Sequence, residues 1–216
     1  MKLLWGGILA ASAAVVFFLW GSKIQFVTGG ALVNLGYRMQ DHLEDYDFEH
    51  HHATPDQIWT EFSKQNQMAA SVRTLFPRAT RHPVIAMVTC MDARLDTNEI
   101  SGDTRRYYYI LRLAGSVLAE KEEEMLELAV SNGVKVVVFT THTDCAAEKV
   151  AADPERRKKF PHLSISVDER GRRFAEFMAR PLIREETSKG ELIVKWMDLD
   201  TRNESIAPHN AIAVTH

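Results

Sequence analysis

The only two cysteines of a 216-residue chain each stand among residues that do chemistry with thiols. Cys90 lies in VTCMDARLD, followed closely by Asp92 and Arg94, and Cys145 ends HTDC, which opens with His142. Two thiolates and an imidazole are a donor set suited to zinc, a borderline-soft ion that takes four ligands in a tetrahedron. Structural zinc sites close that tetrahedron with protein ligands, whereas catalytic sites use three and keep a position for water. Cys90, His142 and Cys145 make three, and Asp92 and Asp144 are the nearest candidates for a fourth. Asp92 and Arg94 are also a ready-made carboxylate–guanidinium pair. Two plainer readings stay open beside the metal: a disulfide between the cysteines, or small core residues at strand ends.

These residues need rigid elements behind them. VIAMVTCM (84–91), RRYYYILRLAG, VKVVVFTT (134–141) and ELIVKWMDLD (191–200) are short apolar runs that predict four strands buried on both faces. Thr54, Pro55 and Gln57 form a capping box that opens a helix with Ile58, Phe62, Ala69, Val72 and Phe76 on one side, stopped by Pro77. AEKEEEMLELAVSNG predicts a helix closed by Asn132 and Gly133. A second capping box, Ser166 with Glu169, predicts a helix whose Val167, Phe174 and Met178 share a face. Strands alternating with helices argue for an α/β domain with a mostly parallel sheet flanked by helices. Both cysteines then fall at strand ends, where such sheets gather functional groups.

The length accommodates one domain with a substantial core. With 26 Lys plus Arg against 29 Asp plus Glu, the net charge of -3 argues against a nucleic-acid partner. The basic run Arg156, Arg157, Lys158, Lys159 has no interleaved aromatics and reads as a solvated loop. The amino-terminal run from Leu3 to Trp20 holds no charge and is flanked by Lys2 and Lys23, with Trp5 and Trp20 near its ends. It reads as a single-pass membrane anchor over 1–23, of undetermined orientation. Its rival is a cleaved signal with Ala11-Ser12-Ala13 as the cleavage site. Residues 24–53 read as a juxtamembrane linker, within which His50, His51 and His52 are surface residues rather than a metal site. Residues 54–216 are the expected zinc-binding α/β catalytic domain.

CMDARLD followed by HTDC resembles the β-class carbonic anhydrases, whose signature is Cys-x-Asp-x-Arg and, further on, His-x-x-Cys. The likeness extends from residue 80 to 207 through SGDTRRYYYILRLAGSV, ARPLI and GELIVKWMDLDTRNESI, with Arg112 and Gly115 matching. It implies that Cys90, His142 and Cys145 hold Zn2+ and that Asp92 and Arg94 form the catalytic dyad beside it. The implied reaction is reversible hydration of carbon dioxide to bicarbonate by a zinc-bound hydroxide, in a zinc lyase. In some family members the matching aspartate swings in to close the metal site. A homodimer or higher homo-oligomer is implied too, with the helix at 54–76 embracing a neighbour. Leu113 and Ser116 stand where the family has asparagines, and Ala146 replaces a glycine. Those departures keep open a hydrolase of carbon disulfide or carbonyl sulfide, and a non-catalytic zinc-stabilised membrane module is the reading from another class. His82 is a conceivable proton shuttle.

Overall fold

In the computed structural model, the described residues are 2–41, 53–77, 82–102 and 108–209, with side chains from Gly21 onward. The chain divides into two units, Met1–Arg78 and Ala79–His216.

The first unit holds α1 (Lys2–Asp41) and α2 (Pro55–Leu75). The expected membrane anchor over 1–23 is not upheld: among the described residues, no helix is long and apolar enough to cross a membrane. The charge-free run is not a free-standing element but the opening of a 40-residue helix. From Gly21 onward that helix breaks its apolar residues with Lys23, Gln25, Asn34 and Arg38, each of which a bilayer core would penalise. The presumed linker therefore begins as helix, and 42–52, with His50, His51 and His52, lie outside the described residues. The capping box of α2 is present: Gln57 N donates to Thr54 Oγ1 at 3.3 Å and Thr54 N donates to Gln57 Oε1 at 2.7 Å. No residue of α2 is buried.

The second unit is built on a five-stranded mixed sheet. Its strands are β1 (Ile85–Cys90), β2 (Tyr108–Leu113), β3 (Val136–His142), β4 (Ile193–Leu199) and β5 (Ile206–Pro208), ordered β2-β1-β3-β4-β5. The first four are parallel, and β5 pairs antiparallel with β4. Between the strands run α3 (Thr97–Ser101), a 3-10 turn (Ala114–Ser116), α4 (Glu120–Ser131), and five helices in succession after β3. These are α5 (Ala146–Ala152), α6 (Pro154–Lys159), α7 (Pro161–Asp168), α8 (Arg170–Ala179) and α9 (Pro181–Ser188).

Central β1 is buried along five of its six residues, which is why its sequence is apolar but for Thr89. Ala86, Val88, Val137 and Phe139 pack with Leu126 and Val130 of α4, Phe177 of α8 and Ile183 of α9. The second predicted capping box is absent. Ser166 lies inside α7, and α8 begins after Glu169 with no side-chain cap bond. Phe174 and Met178 pack on the main core, whereas Val167 joins a separate cluster, because two helices meet at that point. The basic run is the exposed helix α6, capped by Asp153 Oδ1, rather than a loop.

Candidate metal centre

The chain leaves β1 for β2 on one side and β3 for β4 on the other, so β1 and β3 flank a topological switch point. Ligands of open α/β sheets bind outside the carboxyl ends of strands at such a point. The β1–β3 ladder runs only from Ile85↔Val136 to Val88↔Phe139, leaving Cys90 and His142 beyond it at the two strand ends. Cys145 follows one turn later, at the N-cap of α5. The structure thus brings together the three residues expected to hold a metal: one ligand atom from each lies within 4.8 Å of the other two. Both cysteines are free thiols. Around them packs a second apolar cluster, Leu95, Ala147 and Leu199 with Ile100, Leu163 and Val167 against it.

The donor set fits zinc. Bonds of about 2.3 Å to sulfur in a tetrahedron put two sulfurs roughly 3.8 Å apart, within the observed spread. His142 Nδ1 lies 3.0 Å from the Thr143 carbonyl, which assigns it the proton, and buried Nε2 has no hydrogen-bond partner. An imidazole fixed through one nitrogen and vacant at the other is how metal-ligating histidines are held. Thr143 is itself pinned to the end of β4, its N–H donating to the Leu199 carbonyl and its Oγ1 accepting from Thr201 N. Cys90 is drawn down to about 3, first by its interaction with Cys145, then by His142 and the backbone amides of Asp92 and Gly115, against burial. Cys145 is driven up, first by Cys90 and then by burial, although the amides of Glu148 and Ala147 at the start of α5 favour its thiolate. The pair therefore shares one negative charge. Cys90 in turn raises His142, with burial opposing.

Beside this group, Arg94 grips Asp92 bidentately: Nε donates to Oδ1 at 3.0 Å and Nη2 to Oδ2 at 2.8 Å. Arg94 first, against a smaller effect of burial, holds the Asp92 carboxyl well below the usual carboxylate range. The Asp92 carboxylate is not part of the clustered donors, and neither is that of Asp144. Asp144 instead accepts from Arg94 Nη1 at 3.1 Å and forms an ion pair with Lys149. Arg112 fixes the backbone beneath the dyad, donating from Nη2 to the Asp92 carbonyl at 2.6 Å and from Nε to the Cys90 carbonyl at 3.4 Å. No local signal exposes the Arg112 contacts or the Arg94–Asp144 bond in the sequence, because their partners are backbone atoms or lie far along the chain.

The departures from the family pattern fall in different places. Leu113 ends β2 opposite Cys90 and packs on the main core. Ser116 is buried, sits at φ 57 and leaves its Oγ without a hydrogen-bond partner. Ala146 is exposed at the first position of α5, so its methyl crowds no backbone in the unit. His82 is exposed ahead of β1, at the end of the strand remote from Cys90. Six strand residues at about 3.3 Å each separate it from the site, too far for direct proton transfer.

A family model described as carbonic anhydrase matches residues 85–191. Curated protein sequences hold no significant match to the chain. Among solved structures, the chain is similar to carbonic anhydrase from Streptococcus mutans, with a TM-score of 0.53 and 22% identity over 69% of this chain and 97% of that one. A β-carbonic anhydrase of the fungus Aspergillus fumigatus gives 0.52 and 19%, over 72% and 91% respectively. A tetrameric β-carbonic anhydrase of the ascomycete Sordaria macrospora gives 0.51 and 19%, over 72% and 98%.

Proposed function

The chain belongs to the carbonic anhydrase family through residues 85–191, and from that premise we propose that it hydrates carbon dioxide reversibly to bicarbonate at a zinc centre held by Cys90, His142 and Cys145. The observation that carries this reading is the convergence of those three donors beside the Asp92–Arg94 pair. Bound zinc supplies Lewis acidity that lowers the pKa of a coordinated water from 15.7 to about 7. Asp92 is the acceptor for the hydrogen of the reacting water. Arg94 occupies two positions on Oδ1, through its backbone N–H and Nε, and one on Oδ2, and a carboxylate has about four lone-pair sites, so acceptor capacity is left on Oδ2. By accepting that hydrogen Asp92 orients the oxygen lone pair toward the carbon. Arg94 keeps Asp92 ionised, and Arg112 fixes the backbone from which Asp92 extends.

A purely structural zinc site has no use for a carboxylate ionised and aimed by an arginine, which disfavours the non-catalytic module. Carbon disulfide or carbonyl sulfide would need a pocket reshaped at 113, 116 or 146. Leu113 is packed on the core and Ala146 is exposed, which leaves Ser116 alone to do so. The test is stopped-flow measurement on zinc-loaded protein from pH 6 to 9, with all three substrates compared. Carbon dioxide hydration that exceeds hydrolysis of the sulfur compounds and vanishes in Cys145→Ser is the expected result. A folded, zinc-replete protein inactive on carbon dioxide throughout overturns the proposal.

A further inference from the structure

Arg94 is exposed over about half of its side chain, yet four of its five N–H groups are engaged. One edge of the guanidinium, Nε and Nη2, meets Asp92. The other edge meets Asp144, with Nη1 donating to Oδ2 and Nη2 to the backbone carbonyl, both at 3.1 Å. An exposed ion pair with a single partner is loosely held, because solvent screens it and side-chain entropy opposes it. A planar fork clamped on two edges has one orientation left. Asp144 is itself anchored: its backbone is left-handed at φ 63, between His142 and Cys145, and Lys149 of α5 pairs with its Oδ1. Aspartate is among the few residues that tolerate that backbone, and its carboxylate can accept two cations at once.

We propose that Asp144 is a positioning residue: it holds the second edge of the Arg94 guanidinium and so keeps the Asp92 carboxylate turned toward Arg94 and out of the Cys90–His142–Cys145 donor group. The row Lys149–Asp144–Arg94–Asp92 then ties the turn after β3 to the turn after β1, and the dyad moves with the metal ligands as one body. The kinetic part of this inference rests on the hydration reading; the structural part does not.

The test uses Asp144→Gly, which removes the carboxylate while suiting the left-handed backbone, and Asp144→Asn, which keeps an oxygen acceptor for Arg94 Nη1. The first readout is hydrogen exchange of the Arg94 Nε–H in metal-free protein by NMR, the signal assigned with Arg94→Lys. The second is kcat and KM of the zinc-loaded protein, with zinc content measured alongside. Outer-shell partners of a metal site typically contribute about 10–100-fold, so Asp144→Gly is expected to speed exchange and lower kcat by at least ~10-fold, with KM and zinc content within about twofold of wild type. Asp144→Asn is expected to recover both to within about threefold. Exchange and kcat within twofold of wild type in Asp144→Gly, or no recovery in Asp144→Asn, overturn the proposal. Should Asp144→Gly not fold, Lys149→Met frees the other Asp144 oxygen without touching the turn; faster Arg94 exchange supports the role and unchanged exchange overturns it. An inactive wild type with a protected Arg94 signal sinks the hydration reading alone. An active wild type whose Arg94 exchanges freely sinks the positioning role alone.

Discussion

Two buried sulfurs, one at the end of β1 and one at the N-cap of α5, are costly to charge together without a cation between them, and the site resolves this by leaving one proton on the pair. The interaction between them lowers Cys90 and raises Cys145, so the metal-free pair holds one proton between its two sulfurs. Zinc needs both as thiolates, so loading must expel that proton. Release of at least one proton per zinc at pH 8 is expected in a pH-stat titration of the metal-free protein; uptake of zinc with no release contradicts the shared-proton account. The carboxylate beside it obeys the opposite logic. Asp92 has a folded-state pKa depressed by Arg94, so its contribution to stability is present above its unfolded value, about 3.9, and is lost as pH falls through the folded one. Arg94→Leu removes the main cause of the depression. The Asp92 carboxyl resonance is then expected to titrate near the ordinary value, and the acid-side loss of stability to begin at higher pH than in wild type. An Asp92 titration unmoved by Arg94→Leu assigns its ionisation to something other than the pair.

At the scale of elements, the site depends on how β1, β3 and the turn after β2 end. Gly115, at φ 63 in the 3-10 turn, places its amide near the Cys90 sulfur while α5 and α7 press on its α-carbon. A methyl there would meet Val167 Cγ2 at 3.2 Å, with Ala147 Cβ and Arg170 Nη2 at 3.4 Å. Left-handed backbone alone costs a non-glycine residue roughly 1–2 kcal/mol. Gly115→Ala is therefore expected to lower unfolding stability by about 2 kcal/mol, with reduced zinc affinity; a denaturant midpoint unchanged from wild type refutes the packing argument. Much of this level was legible beforehand. Strands β1 and β3 announced themselves because burial demands nearly apolar runs such as Ile85–Cys90, β2 and β4 because their half-buried faces still carry β-favouring Tyr, Ile, Val and Trp, and the His142–Cys145 part of the ligand triplet because its spacing is local. Strand β5 did not, since three exposed residues at a sheet edge carry no apolar pattern. Ser166 and Glu169 misled because a capping box is a pattern of residue types, and Pro161 had already started a helix upstream that absorbs Ser166. The 18-residue apolar run misled in the same way, being a fragment of a longer helix rather than an element by itself. The Asp144–Arg94 bond joins residues 50 apart and leaves no trace that a local pattern can register.

For the whole molecule, the open question is what covers the apolar surface of the first unit. Helix α2 buries none of its residues, and Ile58, Trp59, Phe62, Met68, Val72 and Leu75 are all exposed, with Trp59 and Phe62 stacked at 5.6 Å between ring centroids. A stripe of that kind on a capped helix is the mark of an association surface, because water-facing aromatics gain about 25 cal/mol per Å² once covered. A second copy of the chain presents the same stripe and would cover it apolar face to apolar face. The expected outcome is a homo-oligomer, seen by light scattering after gel filtration as a multiple of the 24.5 kDa protomer mass. Phe62→Glu puts a charge into the stripe and is expected to weaken association by about 2 kcal/mol, ~30-fold in dissociation constant, as truncating an interface hot spot does. Lys64→Glu changes charge on a long exposed side chain paired with Glu61 and serves as the control, leaving the mass unaltered. If wild type runs at the mass of one chain, or if Phe62→Glu and Lys64→Glu behave alike, the stripe on α2 is not what brings copies together.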